Sequence, residues 1–291
     1  MHVGFIGLGQ MGRPIAENIL AAGYRLSVYN RTVAKTRSLV DSGAELAMTP
    51  LGAAQADLLF TMVTDDAALD QLFFEDGLID AMPKTTMHVT MSTIGAACGA
   101  RLRDSHAALD RPFVAAPVLG RPDRAAEAML FVLAAGDRRH VDICAPVFES
   151  ISQRWFFLGP DPQSAIVAKI ANNFLLGCVI ESMAQAYTIC DTHGLPRREF
   201  LEAITETIFD APIYRIYGRM MAEHQYLPPA CPPAIGIKDM RLALDAAATS
   251  GHDLPLARLV KDHLENAVAD GFGDHDWSIL GADEMKWKTP S

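Results

Sequence analysis

The chain has 291 residues, half of them apolar and 21% charged, which is long enough for two domains and ordinary for a soluble globular enzyme. Its formal net charge of −10 argues against nucleic acid as a partner and means that any anionic cofactor must be held by a local set of donors against the global field. No apolar run approaches the roughly 20 residues that span a bilayer. Met1 to Ile6 run straight into a glycine-rich turn, without a basic segment or cleavage site. A cytoplasmic protein with no membrane partner is therefore expected. The five cysteines, at 98, 144, 178, 190 and 231, form no CxxC pair, which predicts reduced thiols rather than a disulfide framework or a zinc site. The nine histidines are dispersed and no metal is expected.

In chain order, Val3–Ile6 predicts a strand and Met11–Ala22 a helix stopped at Gly23. Further strands are predicted at Leu26–Asn30, Leu58–Val63, Met87–Met91, Phe113–Ala115, Met129–Ala135 and Trp155–Leu158, with helices over 34–42, 65–74, 94–109 and 138–150. Strands alternating with helices imply a mainly parallel sheet covered on both faces. The pattern changes after Gly159. Asp161 and Pro162 suit the N-cap and first position of a helix. No breaker except Gly177 then follows to about Thr192, so a helix of roughly 30 residues and about 45 Å is predicted. Segments 197–208, 212–223, 235–250 and 255–270 also read as helices, and Leu227–Pro233 as a loop. The expectation is an α/β domain over 1–160 and an all-α domain over 161–291, joined by the long helix.

Gly7-Leu8-Gly9-Gln10-Met11-Gly12 follows a strand and opens a helix, the context a GxGxxG dinucleotide motif requires. Gly7 serves the tight turn, Gly9 the approach of a pyrophosphate, and Gly12 helix–sheet packing, with the phosphates on the helix N-terminus. The first domain is thus expected to be a Rossmann domain. Its second strand ends in Asn30-Arg31-Thr32, where an NAD-binding unit usually carries an acid for the ribose 2′-hydroxyl. A guanidinium without that acid favours a 2′-phosphate, and NADP(H) is the expected cofactor. Met62-Val63-Thr64 and Ser92-Thr93 close two further strands, where ligands of open α/β sheets bind. Thr93 is a candidate contact to the nicotinamide ribose. Ser92 is either a cofactor contact or a helix N-cap.

On the long helix, Lys169, Asn172 and Asn173 interrupt an apolar stretch at spacings that put them on one face. A lysine there needs partners or a wet cleft. By spacing alone the cluster is either a functional face or an exposed lysine beside two interhelical asparagines. Gly177 is expected to keep that face open.

Four stretches resemble the β-hydroxyacid dehydrogenase family, which includes 3-hydroxyisobutyrate dehydrogenases and glyoxylate/succinic semialdehyde reductases. They are Val3–Gly12, Ala116-Pro117-Val118-Leu119-Gly120, Lys169-Ile170-Ala171-Asn172-Asn173 and Lys238-Asp239-Met240, in order and over essentially the whole chain. The resemblance implies an N-terminal Rossmann domain, an all-α C-terminal domain, and a homodimer or homotetramer built largely through the helices. It implies that Lys169 is the catalytic proton donor, that Asn173 orients the lysine and a small-molecule substrate, that Asn172 lies beside the substrate, and that Lys238 lies near the cofactor or a substrate carboxylate. Asp239 is expected to be structural. Asp276-Trp277-Ser278 resembles a terminal motif of family members that approaches the cleft. Phe209, Tyr214 and Tyr217 read as core or dimer packing.

The chain departs from the family at one place. The family's Pro-Val-Ser-Gly-Gly becomes Pro117-Val118-Leu119-Gly120-Arg121 here, so the serine that helps to hold the substrate carboxylate is replaced by leucine. Backbone N–H groups of Leu119 and Gly120 still suit an anion. Arg121 either binds the carboxylate or pairs with Asp123 or Glu127. The leading expectation is an NADPH-dependent reductase of a small aldehyde or keto acid. An imine reductase or reductive aminase shares the fold but usually lacks the lysine, and a non-catalytic NADP-binding module has typically lost it.

Overall fold

The computed structural model describes residues 1–283 and 285, and the chain divides into two compact units between Ile170 and Ala171. The first unit contains a six-stranded sheet of β1 (His2–Ile6), β2 (Arg25–Tyr29), β3 (Glu45–Leu46), β4 (Leu58–Thr61), β5 (Met87–Thr90) and β6 (Phe113–Ala115). All neighbours are parallel, in the order β3-β2-β1-β4-β5-β6. This is the doubly wound order of a Rossmann fold, whose direction reverses between β1 and β4. Strands covered on both faces are apolar along their length rather than alternating. β4 is buried throughout, and Val3, Phe5, Val28 and Val89 are all 0% exposed.

Beyond β6 the chain builds a second sheet of β7 (Val118–Leu119), β8 (Leu130–Ala134) and β9 (Ser152–Phe157). β7 runs antiparallel to β8, and β8 parallel to β9. Sequence periodicity missed β3, β7 and the short helical turns Pro50–Ala53, Leu78–Ala81 and Pro122–Ala126. Each is two to five residues long, too short to show a period. The helix predicted over 34–42 is a 3₁₀ turn, Val33–Thr36, followed by Arg37–Asp41.

The long helix spans Gln163–Thr192. Its start is capped as predicted, since the Gln163 N–H donates to Asp161 Oδ1 at 3.0 Å. By length and composition alone it is apolar enough to cross a bilayer, with mean hydropathy 1.4 over an 18-residue window of which 39% is buried. The expectation that no run is long and apolar enough is thereby corrected, since Lys169, Asn172, Asn173 and Glu181 interrupt the apolar residues of this helix without making it polar.

In the second unit the helices Arg197–Thr205, Pro212–Ala222, Pro233–Ala248 and Pro255–Ala267 pack around Tyr187, Met221, Met240, Val260, Leu264 and Trp277. The expectation for Gly177 is overturned. A Cβ there would lie 2.9 Å from Met240 Cε and 3.3 Å from Val260 Cγ1, so the glycine admits these neighbours instead of keeping a face open.

Candidate active site

The nucleotide edge of the first unit lies at the carboxyl ends of its parallel strands, next to the reversal between β1 and β4. The three motif glycines differ in what demands them. Gly7 has φ +100°, and a Cβ on it would collide with the carbonyl of Met62. A Cβ on Gly12 would collide with the carbonyl of Gly7. At Gly9 no atom lies within 4 Å of a Cβ position and the backbone is not left-handed, so the fold itself does not require glycine there. A pyrophosphate drawn close to the backbone would account for it. The helix Gly12–Ala21 that follows has no side-chain cap and no acid in its first turn, so its positive end can receive phosphate without a competing carboxylate. These residues fit a dinucleotide.

Asn30 acts as a brace. The Leu8 N–H donates to Asn30 Oδ1 at 2.9 Å, and Asn30 Nδ2 donates to the Thr32 carbonyl at 3.0 Å. An aspartate could accept from Leu8 but could not donate to Thr32. The amide therefore joins the glycine loop to the Asn30-Arg31-Thr32 turn. Arg31 and Thr32 are exposed, as is Lys35 on the 3₁₀ turn that follows. Sequence reasoning missed Lys35, whose signal was its spacing of four residues from Arg31.

At the end of β4, Met62 and Val63 are half-buried and Thr64 is exposed. The Met62 N–H donates to the Ile6 carbonyl at 2.9 Å. The Val63 N–H donates to Ser92 Oγ at 2.9 Å, and that hydroxyl lies 3.4 Å from the Thr61 carbonyl. Buried Ser92 thus ties the end of β4 to the end of β5. It is not the N-cap of the next helix, which begins at Ala96 after Gly95. Thr93, half-buried, follows it at the same edge.

In the segment after β6, Val118 pairs with Val132 and belongs to the core at 3% exposure, so only its backbone is available to a substrate. Leu119 pairs with Phe131 and is half-buried. Gly120 has φ +139° and sits where a Cβ would be 2.6 Å from Leu130 Cδ2, so this turn needs glycine. Arg121 Nε lies 3.9 Å from Asp123 Oδ1, at the outer limit of an ion pair, while Glu127 is engaged by Arg124 at 3.0 Å.

On the long helix Lys169 and Asn172 are half-buried and Asn173 is 6% exposed. Asn172 Nδ2 donates to Asn173 Oδ1 at 3.2 Å, and Asn173 Nδ2 donates to Asp239 Oδ2 at 2.7 Å. Asp239, itself buried, also stands 3.7 Å from the Lys238 ammonium through Oδ1. The amide of Asn173 is therefore fixed in orientation, one turn after Lys169. Each end of that amide retains capacity for one more bond.

Asp276-Trp277-Ser278 is built into the packing of the second unit. All three are buried in the second unit, where Asp276 accepts from the N–H groups of Ala230, Cys231 and Ser278 and so holds the Pro-rich loop. Tyr217 is buried edge-on to Trp277 at 6.0 Å, and Phe209 meets Tyr214 at 5.0 Å, in keeping with packing roles.

The sheet order and the glycine loop define a dinucleotide-binding protein of the Rossmann class. Residues 2–159 match the model of the NAD binding domain of 6-phosphogluconate dehydrogenase, and residues 164–281 match that of the NAD-binding region of NADP-dependent 3-hydroxyisobutyrate dehydrogenase. The chain is 43% identical over 282 residues to the uncharacterized oxidoreductase YfjR of Bacillus subtilis, covering 96% of this chain and 98% of that one. It is 29% identical to glyoxylate/succinic semialdehyde reductase 1 of Arabidopsis thaliana, over 96% and 97% of the two chains. The crystal structure of a 3-hydroxyisobutyrate dehydrogenase from Salmonella typhimurium superposes with a TM-score of 0.83 at 25% identity, over 96% and 98% of the two chains. The chain belongs to the β-hydroxyacid dehydrogenase family and is an NAD(P)-binding oxidoreductase of the class that acts on CH–OH groups.

Proposed function

We propose that this protein is an NADPH-dependent reductase of a small aldehyde or keto acid, reversibly a β-hydroxyacid dehydrogenase, with Lys169 as proton donor. The observation that carries the reading is the turn of the long helix in which Lys169 precedes an asparagine whose amide is pinned by buried Asp239. When bound, the reduced nicotinamide supplies the hydride. The protonated amine of Lys169 donates a hydrogen bond to the carbonyl oxygen, stabilises the charge that develops there, and then gives up its proton. Asn173 orients the oxygen, with Asn172 beside it. The Gly120 N–H, with Arg121 or Lys238, holds the carboxylate, since the Leu119 N–H faces Phe131 in the β7–β8 ladder.

The preference for NADPH rests on exposed Arg31, Thr32 and Lys35 in a segment, 30–36, whose sequence carries no acid to repel a 2′-phosphate. The backbone around Gly7, Gly9 and Gly12 takes the pyrophosphate, and Val63, Thr64 and Thr93 border the nicotinamide side. Residues 1–160 serve as the nucleotide domain and 161–291 as the substrate and oligomer domain. The long helix leaves Val167, Leu175 and Ile189 at 45, 61 and 65% exposure on one stripe, which suits a homodimer or a homotetramer.

The test is Lys169→Ala. NADPH oxidation with glyoxylate, succinic semialdehyde and methylmalonate semialdehyde should fall about 10²- to 10⁴-fold while NADPH affinity is kept. A variant that still turns over well removes the lysine from this role, and wild-type activity confined to cyclic imines replaces the carbonyl reaction.

A further inference from the structure

The departure at Leu119 acquires a setting in the second sheet. Residues directly opposite on adjacent strands share a face. Val118, Val132 and Trp155 pair across the three strands on the inner face, which packs on the core. Leu119, Phe131 and Arg154 pair across them on the outer face, and Leu133 pairs with Phe156 there. On β8 the inner-face residues Leu130, Val132 and Ala134 are 0% exposed, and on the outer face Phe131 is 36% exposed while Leu133 is buried at 8%. The Phe131 and Phe156 rings are 6.3 Å apart, and the Arg154 guanidinium lies 4.7 Å over the Phe156 ring. The outer face thus carries an apolar strip from Leu119 to Phe156 that is open at Phe131, half-buried at Leu119 and Phe156 and closed at Leu133, with a cation at its far side. It begins at the last strand residue before the Gly120 turn, in the segment read above as the substrate segment.

A leucine side chain offers a carboxylate nothing, and a phenyl ring exposed beside it is better covered by another apolar group than by water. Binding energy on this strip therefore comes from hydrocarbon on the substrate. We infer that the substrate carries an aryl or branched-alkyl group that lies on Leu119 and Phe131, with any carboxylate taken by the adjacent turn rather than by a hydroxyl. The inference rests on the reading that Leu119–Arg121 contacts the substrate, and it names the substrate class of that same site. Each methylene buried on the strip should raise kcat/KM about fourfold.

The experiment compares acetaldehyde, isovaleraldehyde and phenylacetaldehyde with glyoxylate and succinic semialdehyde as partners for NADPH oxidation by the full chain. In parallel, calorimetry measures propanoate and 3-phenylpropanoate binding to the NADP⁺-loaded protein. We expect kcat/KM to rise from acetaldehyde to phenylacetaldehyde and 3-phenylpropanoate to bind at least tenfold more tightly than propanoate. Phe131→Ala should erase both differences and Phe131→Leu should restore most of each. Leu119→Ser should shift the preference toward glyoxylate. NADPH fluorescence and the thermal midpoint identify any variant that has failed to fold.

Turnover that favours glyoxylate or succinic semialdehyde over every apolar aldehyde overturns the inference and leaves the reductase reading standing. Absent turnover, with 3-phenylpropanoate still bound in a Phe131-dependent way, overturns the reductase reading and keeps the apolar site. A Phe131→Ala protein that changes its sedimentation but neither preference shows that a second copy covers the strip, and also overturns the inference.

Discussion

The nucleotide edge of the first unit and the lysine turn of the long helix are built from different materials. The edge is made of backbone: two glycines that the fold demands, one that only a ligand demands, and an asparagine that braces the loop from 22 residues away. The turn is made of side chains, and its orientation depends on a carboxylate 66 residues further along the chain. A site made of backbone tolerates change outside its glycines and fails abruptly at them. A site made of side chains degrades by steps, as each partner is removed.

The glycines test this contrast most severely. Gly12→Ala should destroy nucleotide binding and lower the thermal midpoint, because the added carbon meets the Gly7 carbonyl. Gly9→Ala should leave the thermal midpoint unchanged and weaken NADPH binding alone, as read by fluorescence titration. Equal destabilisation by both would erase the distinction between fold glycine and ligand glycine.

Arg31→Glu should cost about 10- to 100-fold in kcat/KM with NADPH and much less with NADH, since a charge-assisted bond contributes about 1.5–3 kcal/mol. Equal losses with both cofactors would make Arg31 a solvated loop residue. Asp239→Ala should lower kcat/KM about tenfold by freeing the Asn173 amide, with NADPH affinity kept. Restoration by Asp239→Asn would show that an acceptor oxygen, rather than the charge, is what Asn173 needs.

A separate effect, on stability rather than on activity, concerns a buried chain of hydrogen bonds in the first unit. His106 Nδ1 donates to the Leu102 carbonyl at 2.8 Å, so His106 Nε2 accepts from His88 Nδ1 at 3.1 Å, and His88 Nε2 accepts from the Thr61 hydroxyl at 2.9 Å. Both rings are fully buried and in use at both nitrogens. Burial pushes His88 well below the ordinary imidazole value, with His106 adding to the effect, and burial lowers His106 to about 4. The unfolded chain therefore binds protons below pH about 6.5 that the folded chain refuses. Stability should be full above that pH and fall by up to about 1.4 kcal/mol per pH unit for each histidine as pH drops toward 4. Urea unfolding at pH 7 and pH 5 measures this. A pH-independent midpoint would show that the pair is not held neutral.

These tests also mark what was legible in the sequence. The parallel sheet, the glycine loop and the long helix all rest on local periods and breakers, and they stand where those signals put them. β7 was not legible, because two residues carry no period, and with it went the fact that Val118 points into the core while Leu119 points away. Asn173 was visible as one face of a helix. Its bond to Asp239 was not, because a contact across 66 residues leaves no trace in spacing. Ser92 shows the same limit, since a hydroxyl that cross-links two strand ends looks like a helix cap until the next helix is seen to begin later.

The division between the two units falls at Ile170 and Ala171, inside the helical turn that holds Lys169 and Asn173. The backbone hydrogen bonds of that turn keep the two side chains in a constant relation, with their Cβ atoms about 6 Å apart. The relation between the amine-bearing and the amide-bearing residue is thus a property of one helical turn, like two teeth cut on a single gear.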